Sequence, residues 1–145
     1  MLDLALAIAH HLLIFALFAI LIAEWVEVRP DMTAAAARRV ARIDIGYGML
    51  AALILAVGFS RAVYAAKGWN YYAHNAFFWA KLGVFAAVGL LSVPPTLAFI
   101  RWRRAALAPE AADVARVQRF IHAELLLFAL LPGFAAAMAR GYGEF

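Results

Sequence analysis

The chain has 145 residues, of which 68% are hydrophobic and 15% are charged, and its mean hydropathy is +0.85. A soluble domain of this length carries more charge, so the composition indicates a membrane protein with one domain over residues 1–145. The absence of cysteine excludes disulfides, thiolate metal sites and cysteine nucleophiles. The net charge of +4 rests almost wholly on arginine, and no basic soluble surface with exposed aromatic residues indicates a nucleic-acid partner.

Four apolar segments reach the length of about 20 residues that a membrane-spanning helix requires. The predicted spans are approximately residues 4–23, 45–64, 76–100 and 120–139. The predicted fold is therefore an all-α, integral membrane four-helix bundle. Pro94-Pro95 and Pro132-Gly133 are expected to bend the third and fourth spans.

The second and fourth helices are predicted to begin well before their spans. Thr33 is a candidate N-cap for the second helix, and Pro109 is a candidate first residue of the fourth. Both helices are therefore expected to protrude into the cytoplasm by two or three turns.

The loop charges predict the orientation in the membrane. The middle connection has only Arg61 and Lys67, and the C-terminal tail has only Arg140. The first and third connections hold Arg29, Arg38, Arg39, Arg42, Arg101, Arg103, Arg104, Arg116 and Arg119. Positively charged loops stay in the cytoplasm, so both termini are predicted to lie outside a multi-pass protein of the bacterial inner (plasma) membrane.

Ionisable groups inside a bilayer cost about 2.5–3.5 kcal/mol each on insertion scales, so each one is a candidate functional residue. His10 and Glu24 are fourteen residues apart, which returns a helix to within about 40° of the same face. His11 lies roughly 140° away from Glu24. We therefore expect His10 to face the bundle and His11 to lie to the side.

Four polar residues are predicted to converge on the half of the bundle that holds the termini. His74 and Lys81 are seven residues apart and would share a face of the third helix, near His10 and Arg61. Facing helices can hold haem between two imidazoles, and cations can pair with its propionates. His10 and His74 are thus predicted metal ligands, and they are expected to bind haem b together with Arg61 and Lys81. Whether His11 or His122 replaces one of the two ligands stays open.

A second polar group is predicted near the arginine-rich loops. It contains Glu24, Asp44 and either Glu124 or His122, which lie about 160° apart on a helix and cannot both face the core. Glu124 is the expected member because it is deeper in the span than His122. Glu124 is a candidate catalytic residue that accepts protons, as Lys81 is a candidate catalytic residue in the other half. The alternative is that these carboxylates form structural ion pairs with nearby arginines.

Several motifs match one family in order along the chain. An intramembrane histidine in helix one precedes "ARRVARI", "FFWAKLG", "IRWRR" and "RFIHAEL". The chain resembles the small four-helix, haem-containing protoporphyrinogen IX oxidases of bacteria, and also a sister family of uncharacterised bacterial membrane proteins. The positions that match the oxidase pattern are His10, Lys81, Arg119 and Glu124. The resemblance implies bound haem and a possible role for these four residues in porphyrinogen oxidation.

The predicted function is an integral membrane redox protein that binds haem b or a porphyrin, and an oxidoreductase if it is an enzyme. The alternative is a non-enzymatic carrier or channel-like module that moves protons or a metal cation. Membrane lipid is an expected partner, whereas a porphyrin substrate, a quinone and a second copy in a homodimer are left open.

Overall fold

The computed structural model describes residues 1–64 and 68–145, so Lys67 lies outside the described residues. These residues form six α-helices and no strand. The helices are α1 (Leu2–Glu27), α2 (Ala34–Tyr64), α3 (Gly68–Ala73), α4 (Ala76–Ala105), α5 (Ala111–Phe128) and α6 (Leu131–Ala139).

By length and composition, four helical segments of the described chain can cross a membrane: α1, α2, α4 and the α5–α6 pair. Helix α1 packs against α2 and α5, while α4 packs against α2, α5 and α6. The predicted all-α bundle of four spans is confirmed.

The helix ends explain where the spans begin and bend. The Thr33 hydroxyl accepts a hydrogen bond from the Ala36 amide at 3.2 Å, as expected for an N-cap, and α2 begins about three turns before residue 45. Helix α5 begins at Ala111 after Glu110, so Pro109 lies just outside the helix rather than in its first turn. The fourth span is divided into α5 and α6, with Pro132 in the first turn of α6, whereas α4 continues through both of its prolines.

The outer faces of the helices are apolar. Phe15, Leu90 and Leu126 are each more than half exposed. An apolar surface on all sides suits lipid and not water. The buried core is divided between a large cluster that includes Leu21 and Phe99 and a small cluster at the other end of the bundle.

The C-terminal tail folds back onto the start of α4. Asn75 is fully buried, and its side-chain oxygen accepts hydrogen bonds from the amides of Phe77 and Phe78 at 3.0 and 3.3 Å. Its side-chain nitrogen donates to the Tyr142 carbonyl at 3.0 Å, and the Ala76 amide donates to the Gly143 carbonyl at 2.8 Å. The tail thus completes the N-cap of α4.

Both termini lie at the same end of the bundle as the connection between α2 and α4. Asp3 is 3.9 Å from Arg61 near the end of α2, and the tail contacts residues 74–76. We call this the terminal end, and the opposite end, which holds the first and third connections, the arginine-rich end. That the terminal end faces the outside stays a prediction.

Candidate functional site

A cavity of about 590 Å³ lies at the terminal end between α1, α2, α4 and α6. Its volume falls within the range of roughly 300–1,000 Å³ that is typical of small-molecule sites. The walls are mostly apolar and include Ile54, Phe85 and Leu131. His10, Arg61 and Lys81 are among its polar lining residues, and we call it the His10 cavity.

The His10 side chain lies against a glycine of the neighbouring helix. A Cβ at Gly58 would lie 3.2 Å from Cε1 and 3.6 Å from Nδ1 of His10, so the absence of a side chain there makes room for the ring. Within the described residues, Nδ1 of His10 is buried without a hydrogen-bond partner. An imidazole nitrogen in an apolar site normally has a partner, so this histidine has an unmet capacity to bind one.

Two cations line the same cavity, and of these only Arg61 has a described carboxylate, that of Asp3, within ion-pair distance. The Nε of Arg61 is 3.9 Å from an Asp3 oxygen, which is beyond hydrogen-bond distance, and it is buried without another partner in the described chain. The Nζ of Lys81 lies 5.9 Å from the centre of the Phe78 ring, and no described carboxylate is within ion-pair distance of it. An anionic group on a bound molecule would satisfy both.

The structure does not bring His74 to this cavity. Helix α3 ends at Ala73 and α4 begins at Ala76, so His74 lies in the turn between them and the predicted face shared with Lys81 is wrong. His74 is exposed, its Nδ1 is 2.9 Å from the Asn70 carbonyl, and its ring lies 6.2 Å from that of Phe145. The arrangement of His10 and His74 as two ligands of one haem iron therefore loses its geometric basis.

The other two histidines differ in their access to the cavity. His11 also lines it, but His11 is exposed and its Nδ1 is 2.7 Å from the Ala7 carbonyl. His122 lies at the arginine-rich half, where its Nε2 accepts from Trp25 at 2.9 Å and its Nδ1 is 2.7 Å from the Gln118 carbonyl. Both nitrogens of His122 are therefore engaged. Among the described histidines, His10 alone combines the cavity lining with a buried unbonded nitrogen.

A second polar site lies in the large core cluster. Glu24 of α1, Asp44 of α2 and Glu124 of α5 are 3%, 8% and 1% exposed, and they lie within electrostatic range of one another. The Tyr47 hydroxyl donates to Glu124 at 3.1 Å, and the Thr96 hydroxyl donates to Asp44 at 2.8 Å. We call Glu24, Asp44 and Glu124 the carboxylate cluster.

The carboxylate cluster has no arginine partner in the described part of the chain. The ion pairs there join Arg39 to Glu27, Arg61 to Asp3 and Arg101 to Asp113, so none involves the cluster. The described residues therefore do not form the structural ion pairs that were the alternative for this cluster. One oxygen of Glu24, Oε1, is buried without any hydrogen-bond partner.

A cleft of about 510 Å³ between α2 and α4 adjoins the carboxylate cluster. Its polar lining consists of Asp44, Tyr47, Ser92, Thr96 and Arg103. We call it the α2–α4 cleft. Phe85 lines both this cleft and the His10 cavity, so its ring stands between the two polar regions.

The other residues that match the oxidase pattern lie away from the His10 cavity. Glu124 does not line the His10 cavity, and Arg119 is exposed on α5. Among residues 1–64 and 68–145, no group of three histidine, aspartate or glutamate side chains is arranged to hold a metal ion. A bare metal ion bound by several side chains is thus not a feature of the described chain, whereas a haem needs only one or two protein ligands.

Sequence reasoning missed residues of both sites, among them Tyr47 and Gly58. Tyr47 was not selected because a tyrosine in an apolar helix is usually a packing residue, and its partner Glu124 is 77 positions away. Gly58 was not selected because only its contact with His10 distinguishes it from other small packing residues. No local signal in the sequence identifies either of them.

Comparison with known proteins supports one of the two resemblances. No curated protein and no solved structure matches the chain. A model of a membrane protein family covers nearly its whole length, and this match supports the resemblance to bacterial membrane proteins but adds no support for the haem-containing oxidases. The chain belongs to the family described as predicted membrane protein (DUF2214), whose model matches residues 2–143.

Proposed function

We propose that the His10 cavity binds a tetrapyrrole, either haem b or a metal-free porphyrin, and that the protein acts in redox chemistry in the bacterial plasma membrane. The observation that supports this most is the buried, unbonded Nδ1 of His10 in an apolar cavity that also holds two cations. A tetrapyrrole matches this combination because it has a large apolar ring and two carboxylates on one edge. Haem adds an iron that takes imidazole as a ligand.

The residues of this chain have distinct roles in the proposal. His10 would be the histidine that holds a haem iron, since His74 lies outside the cavity lining, His122 uses both nitrogens and His11 is exposed. Arg61 and Lys81 would hold the propionates, because both lie within electrostatic range of His10. When bound, haem supplies one-electron redox chemistry, and the protein sets its ligation and surroundings.

Three other classes of ligand match some of the features of the His10 cavity. A fatty acid or a lipid headgroup would also pair with Arg61 and Lys81, and a quinone would also suit the apolar walls. None of these three contains a metal ion to which a histidine nitrogen could bind. Haem and porphyrin differ in the same respect, since only haem bonds to His10 while both carry the propionates.

The experiment is a titration of the purified protein in detergent with haemin and, separately, with protoporphyrin IX. We expect both to bind, with a Soret shift for haemin that His10→Ala abolishes and the matched control His11→Ala leaves in place. Protoporphyrin binding should survive His10→Ala but weaken at least tenfold in Lys81→Met or Arg61→Met. Failure of the wild-type protein to bind either compound would overturn the proposal.

A second candidate function is favoured by the carboxylate cluster. Buried carboxylates without arginine partners are typical of proton or cation pathways. If the purified protein binds no coloured cofactor, we would therefore assign it to a non-enzymatic carrier or channel-like module. Proton or metal-ion flux into vesicles that contain the purified protein tests this candidate directly. Flux no higher than that of protein-free vesicles would exclude it.

A further inference from the structure

We propose that Glu24, Asp44 and Glu124 form a proton-binding site that exchanges protons with the arginine-rich side through the α2–α4 cleft. The proposed proton site has no residue in common with the His10 cavity. It therefore does not depend on whether a tetrapyrrole binds there.

The carboxylate cluster places three carboxyl groups together in the protein interior. All three carboxyl groups are at least nine-tenths buried, and no described arginine or lysine is within ion-pair distance of any of them. An isolated ionised carboxylate in a low-dielectric interior is far less stable than the neutral acid, and three adjacent ones also repel each other. The cluster must therefore bind protons to remain buried.

In the described chain, the carboxylate cluster has fewer hydroxyl donors than carboxyl groups. Tyr47 donates to Glu124 and Thr96 donates to Asp44, so two of the three groups have a hydroxyl donor from the protein. Glu24 has none at Oε1, although its side chain is almost completely buried and lies within electrostatic range of the other two groups. This oxygen is open to a ligand, and the absence of a metal-binding arrangement in the described chain favours a proton.

The α2–α4 cleft provides a route for protons between the carboxylate cluster and the arginine-rich end. Asp44, a member of the site, and Tyr47, which donates to Glu124, both line the α2–α4 cleft. Ser92 and Thr96 add hydroxyl groups to the same lining. The cleft extends to Arg103, two residues before α4 ends at Ala105. Hydroxyl groups and water in such a cleft can pass protons between the cluster and the arginine-rich side.

The titratable and charged groups around the site come from four helices. Helix α1 contributes Glu24, α2 contributes Asp44 and Tyr47, α5 contributes Glu124, and α4 contributes Arg103 at the mouth of the cleft. Other ionisable groups nearby have separate partners. Glu27 is paired with Arg39 at 2.8 Å, and His122 is bonded to Trp25.

The experiment uses infrared spectroscopy of the full-length protein reconstituted in lipid. We expect a protonated-carboxyl C=O band at pH 7 that loses about a third of its intensity in Glu24→Gln and none in the matched control Glu27→Gln. Addition of Na⁺, K⁺, Mg²⁺ or Ca²⁺ should leave the band unchanged. Absence of the band at pH 7, or its loss when one of these cations is added, would overturn the proposal.

Two further variants test the site without removing a carboxyl group. Tyr47→Phe keeps the aromatic ring but removes the donor to Glu124, so it should shift the frequency of the band. Gly89→Leu places a side chain in the α2–α4 cleft, where a Cβ meets no atom within 4 Å, and should slow hydrogen–deuterium exchange of the band at least threefold. Gly83→Leu is the matched control, because Gly83 is equally open but does not line the cleft. Equal exchange rates in the two leucine variants would refute the route.

Discussion

Replacing Glu24 with methionine is expected to make the protein more stable, although Glu24 belongs to the proposed proton site. The Glu24 side chain is 3% exposed, and its Oε1 has no hydrogen-bond partner in the described chain. A buried polar group left without a partner costs about 1–3 kcal/mol. Methionine has a similar length and no group that requires a partner, and volume-conserving core substitutions usually cost less than about 1.5 kcal/mol.

The net effect is a gain of about 1 kcal/mol in the free energy of unfolding, within a range of about −0.5 to 3 kcal/mol set by these opposing terms. For a chain of this length, a change of 1 kcal/mol moves the midpoint of thermal unfolding by roughly 3–5 °C. Circular dichroism in one detergent, with wild type and variant measured together, resolves such a shift.

Glu27→Met is the matched control for this prediction. Glu27 is on the same helix but is paired with Arg39 at the arginine-rich end, so its loss should cost about 0–1 kcal/mol. The reasoning would be refuted if Glu24→Met lowered the midpoint while Glu27→Met left it unchanged. Such a result would mean that a bound cation or another donor already stabilises the Glu24 carboxylate.

Three other changes test the fold and the His10 cavity. In this cysteine-free chain, an impermeant thiol reagent added from outside should label a cysteine at Tyr142 but not one at Leu107, and the reverse would refute the orientation. Asn75→Ala should lower the free energy of unfolding by about 1–3 kcal/mol, measured by thermal unfolding, because it removes an N-cap and the bond to the tail. Gly58→Ala should weaken haemin binding at least threefold, since its Cβ would meet His10 at 3.2 Å; unchanged binding would contradict the assigned contact.

The four spans and their helical type could be predicted because they follow from local properties of the chain, whereas the short helix α3 was not predicted. A segment of about 20 apolar residues has few alternatives to a spanning helix, and Thr33 and Pro132 act on their own neighbours. The burial of Glu24 also followed from helix geometry, since Glu24 shares with His10 the face of the first helix that was expected to face the bundle. The burial of Glu124 followed from the cost of leaving a carboxylate unpaired inside the membrane.

The position of His74 could not be predicted in the same way. The face argument assumes one unbroken helix, and a turn between Ala73 and Ala76 removes any fixed angle between His74 and Lys81. That turn depends on Asn75, whose bonds to α4 and to the Tyr142 carbonyl join segments 67 residues apart. Asparagine before an apolar run is a recognised N-cap signal, so the start of α4 was within reach of sequence reasoning, but the contact with the tail was not.

The separation of opposite charges in this bundle is itself an argument that the charges serve a function. On α2, Asp44 and Arg61 are seventeen residues apart, which is about 25 Å along a helix. A bundle shaped only by stability would place Lys81 beside one of the buried carboxylates or replace both with apolar residues, since unpaired ionisable groups inside a membrane are costly. Instead the cations line one cavity with His10, the carboxylates adjoin another cleft, and Phe85 lies between them. Both proposals follow from this separation: an anionic molecule with a group that binds imidazole for the His10 cavity, and protons for the carboxylate cluster.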